Sequence, residues 1–178
     1  LAIGIEREVG PDEIDQAARN GTIESLLTWH DAAPGDLFYL PAGTVHAIGP
    51  GLSLIEIQQN SDTTFRLYDY GRPRELHLDR AVAVSQGTPY PASQKSSIRE
   101  RGQTLVDGPY FRLDCVEGLP DQATVAAYSA PSLVLPIAGQ VRWGNNGAFV
   151  AAGECILSQG IEALDFSVCE TALLVRAP

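Results

Sequence analysis

The amino-acid sequence predicts a mainly β protein in two parts, first strands with a few helices and then an all-β sandwich or small barrel. Three observations predict it. In the second half, short alternating runs recur at regular spacing: YFRLDCVEG, TVAAYSA, SLVLPIAG, QVRWG, CILSQG, ALDFSV and TALLVRA, divided by Gly, Pro or Asp turns. Between Asp36 and Tyr70 lie three more such runs, DLFYL, LSLIEIQ and TTFRLYDY. Between the two groups the chain turns rich in Gly, Pro, Ser and Gln, which marks a linker. The expected division is 1–86, a linker over 87–103, and 104–178.

In chain order, LAIGIE at Leu1–Glu6 alternates apolar and small residues and reads as a strand. Ile14, Ala17 and Ala18 keep helical spacing behind an acidic first turn, and after Asn20-Gly21 a second short helix is expected through Ile23, Leu26 and Leu27. Strand alternation then puts Leu54, Glu56 and Gln58 on one face, opposite Ile55 and Ile57. It likewise puts Thr64, Arg66 and Tyr68 together, opposite Phe65 and Leu67. Each strand is thus polar on one side, and those sides carry Glu56 and Arg66. A surface strand with its polar face in water, or a structural salt bridge between the two, would give the same pattern. GRPRELHLDRAVAVS leaves the strands through Pro73 and enters a helix containing Leu76, Leu78, Ala81 and Val82, with His77 pointing away from their face.

The totals exclude several classes of function. A net charge of −10 and a pI near 4.6 argue against nucleic acid or an anionic membrane surface, since both need clustered cations. Arg66, Arg72, Arg74 and Arg80 nevertheless fall within one short segment and could form a local anion site or a solvated face. Cys115, Cys155 and Cys169 are odd in number and lack C-x-x-C spacing, so they read as small core groups in a reduced cytoplasm. No run is long and apolar enough to span a bilayer. His30, in TWHD, reads as a surface or capping residue.

One stretch joins spacing to chemistry. In PGDLFYLPAGTVHAIGP, Gly35, Pro41, Gly43 and His46 fall as G-x5-P-x-G-x2-H. Pro presets φ, Gly43 permits a turn closed to other residues, and the next strand starts with one imidazole held in a fixed direction. This block resembles the second motif of the cupin barrels. With Glu56 in LIEIQQ, Ser61-Asp62 and Arg66, the segment is similar to the type I mannose-6-phosphate isomerases, particularly their shorter bacterial branch. The departures are SDTTFRLYDY, where longer members read S-D-N and follow the Arg with Ala-Gly, and Ile48, where they commonly carry Tyr.

The resemblance implies a jelly-roll-like cupin barrel with capping helices, followed by a cupin-like C-terminal domain. It implies a small phosphosugar substrate and one Zn2+ per intact chain. His46 would be a metal ligand, Glu56 a proton-transfer candidate, and Arg66 a partner of the reacting oxygens or the phosphate. The chain begins at Leu1, contains no Met and lacks the family's first cupin block, so the remaining metal ligands are expected upstream of Leu1. No His follows residue 77, so the second half is expected to carry no His-based metal site. A non-catalytic sugar-binding or regulatory cupin is the alternative, and the motif at His46 alone would also fit a cupin dioxygenase or epimerase.

Overall fold

The structure, a computed structural model, describes residues 1–98, 103–144 and 147–178. It is mainly β and divides into two compact units, Leu1–Ser97 and Ile98–Pro178.

In the first unit, β1 (Ala2–Ile5) is buried along its whole length and lies between β2 (Leu27–Trp29) and β4 (His46–Ala47), both antiparallel. A second pair joins β3 (Asp36–Phe38) to β5 (Lys95–Ser97). Among the described residues these strands do not close into a barrel. Helix α1 (Pro11–Asn20) starts with Pro at its first position, where the missing N–H has no intrahelical partner to lose. It stops at Gly21, whose φ of 78° lets its N–H reach the Ala17 carbonyl. Ile14, Ala17 and Ala18 form its buried face. Helix α2 (Leu78–Val84) buries Ala81.

Three expectations change in this unit. The second helix is only a 3-10 turn over Ile23–Leu26, and Leu27 already belongs to β2. Leu52–Gln58 and Thr63–Tyr70 are not strands, because among the described residues no neighbouring strand gives their backbone a ladder. Much of the expected linker is structured: β5 pairs with β3, and the Thr88 carbonyl accepts from the Ile5 N–H. Residues 99–102 of that linker lie outside the described residues.

The second unit is built on a sheet ordered β10-β8-β12-β7-β6, with β6 (Thr104–Asp107), β7 (Arg112–Glu117), β8 (Ser132–Trp143), β10 (Ile156–Ser158) and β12 (Cys169–Arg176). Strand β8 spans both SLVLPIAG and QVRWG. Its first part pairs with β10 and β12, and its last part with β9 (Ala148–Ala151) and β11 (Leu164–Asp165). Pro136, which has no N–H to give a ladder, sits where the β8–β12 register shifts. The core lies between the two ladders: Val116, Val134, Ala172 and Leu174 meet Val141, Val150, Ile161 and Phe166. Tyr128 is fully buried there and its hydroxyl donates to the Leu174 carbonyl at 3.0 Å.

Two details overturn the sequence reading of this half. TVAAYSA is not a strand; its first residues belong to helix α3 (Gln122–Ala127), started by Asp121, whose carboxylate accepts from the Thr124 N–H at 2.7 Å. Cys115 and Cys169 are buried as expected, whereas Cys155 is exposed in the connection between β9 and β10.

Candidate functional site

The G-x5-P-x-G-x2-H segment folds as a tight turn feeding β4. The Thr44 N–H donates to the Pro41 carbonyl at 3.1 Å, and Gly43 holds the left-handed position with φ 87°. A side chain at Gly43 would also stand 2.4 Å from the Val84 carbonyl, so the turn can lie against the end of α2 only without one. Gln86 ties the two together, its backbone N–H donating to the Gly43 carbonyl and its side-chain amide to the Ala42 carbonyl, both at 2.8 Å. On the other side the Val45 carbonyl accepts from Gly4 at 2.8 Å, and His46 sits opposite Ile3 in the ladder.

His46 is exposed, and its Nδ1 lies 2.9 Å from the Thr44 carbonyl. A carbonyl can only accept, so Nδ1 carries a proton, and in the neutral ring the lone pair resides on Nε2. Metal-ligating histidines are commonly oriented in this way, with the second ring nitrogen donating to a carbonyl. Among the described residues no group of three or more His, Cys, Asp or Glu side chains could hold a metal ion. His30 lies elsewhere on the sheet, its Nε2 3.3 Å from the Ile3 carbonyl and its ring edge-on to Phe38 and Tyr90.

Glu56 and Arg66 are not brought together as adjacent strands would bring them. Glu56 is exposed in an irregular segment, and among the described residues no ion pair joins it to Arg66. Arg66 is half-buried. Its Nη1 donates to the Glu75 carbonyl at 3.1 Å, its backbone N–H donates to Nδ1 of His77 at 3.2 Å, and its carbonyl accepts from the His77 N–H at 2.9 Å.

The sequence reading missed the acid beside it. Asp69 is buried, Arg74 grips it with Nε at 2.5 Å and with Nη2, and Arg72 adds an ion pair at 3.1 Å. The Arg74 hydrogen bond, helped by the charges of Arg72 and Arg66, holds the Asp69 carboxyl below its ordinary value despite burial. Arg72 and Arg74 stay exposed, as a solvated face would be, but both are paired with Asp69 and so do not form an open anion site. The signal was in the sequence as Asp69 followed at three and five residues by Arg. Beside it Tyr70, with φ 54°, donates its hydroxyl to Glu24 at 2.6 Å, which pushes its phenol up to about 12.

The chain is 48% identical over 79 residues to the mannose-6-phosphate isomerase ManA of Bacillus subtilis, covering 41% of this chain and 25% of that protein. It is 38% identical over 109 residues to the mannose-6-phosphate isomerase of Streptococcus mutans, covering 56% of this chain and 34% of that one. The crystal structure of the mannose 6-phosphate isomerase from Bacillus subtilis superposes with a TM-score of 0.72 at 25% identity, over 98% of this chain and 59% of that one. The chain is thus similar to mannose-6-phosphate isomerases over part of their length. It spans a quarter to about a third of the length of these curated relatives. No protein-family model matches it. Among the described residues no helix is long and apolar enough to cross a membrane.

Proposed function

We propose that this protein acts in a metal-dependent aldose–ketose isomerisation, interconverting mannose 6-phosphate and fructose 6-phosphate by proton transfer between adjacent carbons. The observation that carries the reading is the similarity to mannose 6-phosphate isomerase over 98% of the chain. The segment that gave the resemblance in sequence also supplies a ligand-ready imidazole and an arginine free of any carboxylate partner among the described residues.

Such a reaction develops negative charge on two neighbouring oxygens. Arg66 offers a planar fork, and among the described residues one of its terminal nitrogens is engaged by a protein carbonyl, so the rest of the guanidinium can meet two oxygens at once. Glu56 is an exposed carboxylate on the same segment and is the visible candidate to carry the proton. His46 would hold a zinc ion through Nε2, with further ligands completing the sphere, and the ion would supply Lewis-acid polarisation of a sugar oxygen. The unpaired thiols Cys115, Cys155 and Cys169 fit the reducing cytoplasm, where this chemistry is expected to run.

Steady-state interconversion of mannose 6-phosphate by the intact protein tests the reading, with Arg66→Lys beside the wild type. Lysine keeps the charge but loses the fork. Turnover should fall about a hundredfold or more, the roughly 2.7–4 kcal/mol of a lost transition-state contact, while circular dichroism stays unchanged. Equal turnover would remove Arg66 from the reaction.

A further inference from the structure

Arg66 lies in a segment without a ladder, so its backbone polar groups need partners from elsewhere. One residue supplies both. The His77 N–H donates to the Arg66 carbonyl at 2.9 Å, and the Arg66 N–H donates to Nδ1 of the same His77 at 3.2 Å. His77 is in turn fixed to the start of α2, its carbonyl accepting from the Ala81 N–H at 2.8 Å, and its ring stands edge-on to Phe65. Two residues before it, the Glu75 carbonyl takes Nη1 of Arg66 at 3.1 Å. The segment 75–77 thus grips Arg66 at both ends, backbone and guanidinium.

We propose that His77 and Glu75 are positioning residues for Arg66, with His77 acting through an unprotonated Nδ1; its catalytic weight rests on the isomerase reading above. A nitrogen that accepts carries no proton, so the ring holds its proton on Nε2. That nitrogen faces the exposed Glu75 carboxylate at 4.0 Å, which favours the same tautomer. The anchoring matters for reaction because a fork stabilises two oxygens only when it is fixed before the charge develops. Asp69, three residues on from Arg66, cannot serve instead, since Arg74 and Arg72 occupy it.

Two variants and one spectrum test this on the full chain. His77→Phe keeps a ring against Phe65 but removes the acceptor; His77→Asn puts a side-chain oxygen near the place of Nδ1. Amide exchange at Arg66 should accelerate about tenfold in His77→Phe, the size of one lost hydrogen bond, and return close to wild type in His77→Asn. In the isomerase assay kcat should follow the same order, with KM nearly unchanged. Imidazole nitrogen shifts of the wild type at about pH 8, where histidine is ordinarily neutral, should give protonated Nε2 and bare Nδ1, and this needs no variant. A protonated Nδ1, or equal Arg66 exchange in both variants and wild type, overturns the anchoring. Looser exchange with unaltered kcat overturns its catalytic weight. If Arg66→Lys also turns over like wild type, the isomerase role of Arg66 fails while the anchoring, read by exchange, stands.

Discussion

Leu52–Gln58 and Ser132–Trp143 carry the same kind of pattern and end differently. Both read as strands, Leu52–Gln58 by its alternating faces and Ser132–Trp143 by an apolar run over Leu133–Ile137 followed by alternation over Gln140–Trp143. Ser132–Trp143 becomes β8 because β10 and β12 flank its first part and β9 and β11 pair its last, and Val134 and Val141 are fully buried. Leu52–Gln58 has no ladder among the described residues, and Leu54 and Ile55 stay 48% exposed. Alternation is a statement about side chains. A strand also needs another backbone for its N–H and C=O groups, so pattern alone cannot create one.

The largest expected effect lies in the paired region. Leu174 on β12 is fully buried, lies opposite Val134 of β8 and Asp114 of β7, and receives the Tyr128 hydroxyl on its carbonyl. Leu174→Ala removes core contacts on both sides and should cost about 2–5 kcal/mol in urea unfolding. A cost near zero would mean that the ladder holds the second unit together without its core.

What could be read in advance follows from the range over which each signal acts. Gly21 and Pro11 bound α1 by local chemistry, and Gly43 specifies its turn through its own φ, so these were legible. Helix α3 was missed because TVAAYSA satisfies the strand pattern, while the decisive group, the Asp121 carboxylate on the Thr124 N–H, lies ahead of it. At the site, the turn that leads into His46 was legible because Pro41 and Gly43 set it locally. The support of Arg66 was not, since its hydrogen-bond partners lie nine and eleven residues away on a segment whose approach no spacing announces. The expected Glu56–Arg66 pairing depended on two strands that the structure does not form.

A smaller effect sharpens the contrast inside the unpaired region itself, where one acid gives an irregular segment a fixed point. The hydrogen bond from Arg74 lowers the Asp69 carboxyl in the folded state, so the unfolded chain binds that proton first as pH falls. The stabilisation is complete above the unfolded carboxyl's value of about 3.9 and is lost as pH drops through the lower folded value. Asp69→Asn should therefore lower the thermal midpoint at neutral pH and flatten its decline in acid. Parallel acid declines in variant and wild type would mean that Asp69 is not the anchor of Arg72 and Arg74.

The smallest expected effect is the one that could dissolve the comparison. Ile55 has the side-chain period of a strand residue but half of it faces solvent, so Ile55→Thr should change stability by no more than about 0.5 kcal/mol. Val134→Thr is the matched control on β8: threonine has valine's shape, and burying its hydroxyl without a partner should cost about 1–3 kcal/mol. Urea unfolding of the two variants reads both numbers on one scale. If Ile55→Thr costs as much as Val134→Thr, then Ile55 packs as a buried strand residue in solution, and exposure no longer separates Leu52–Gln58 from β8. A small cost beside a large one leaves the distinction intact and assigns it to the missing ladder.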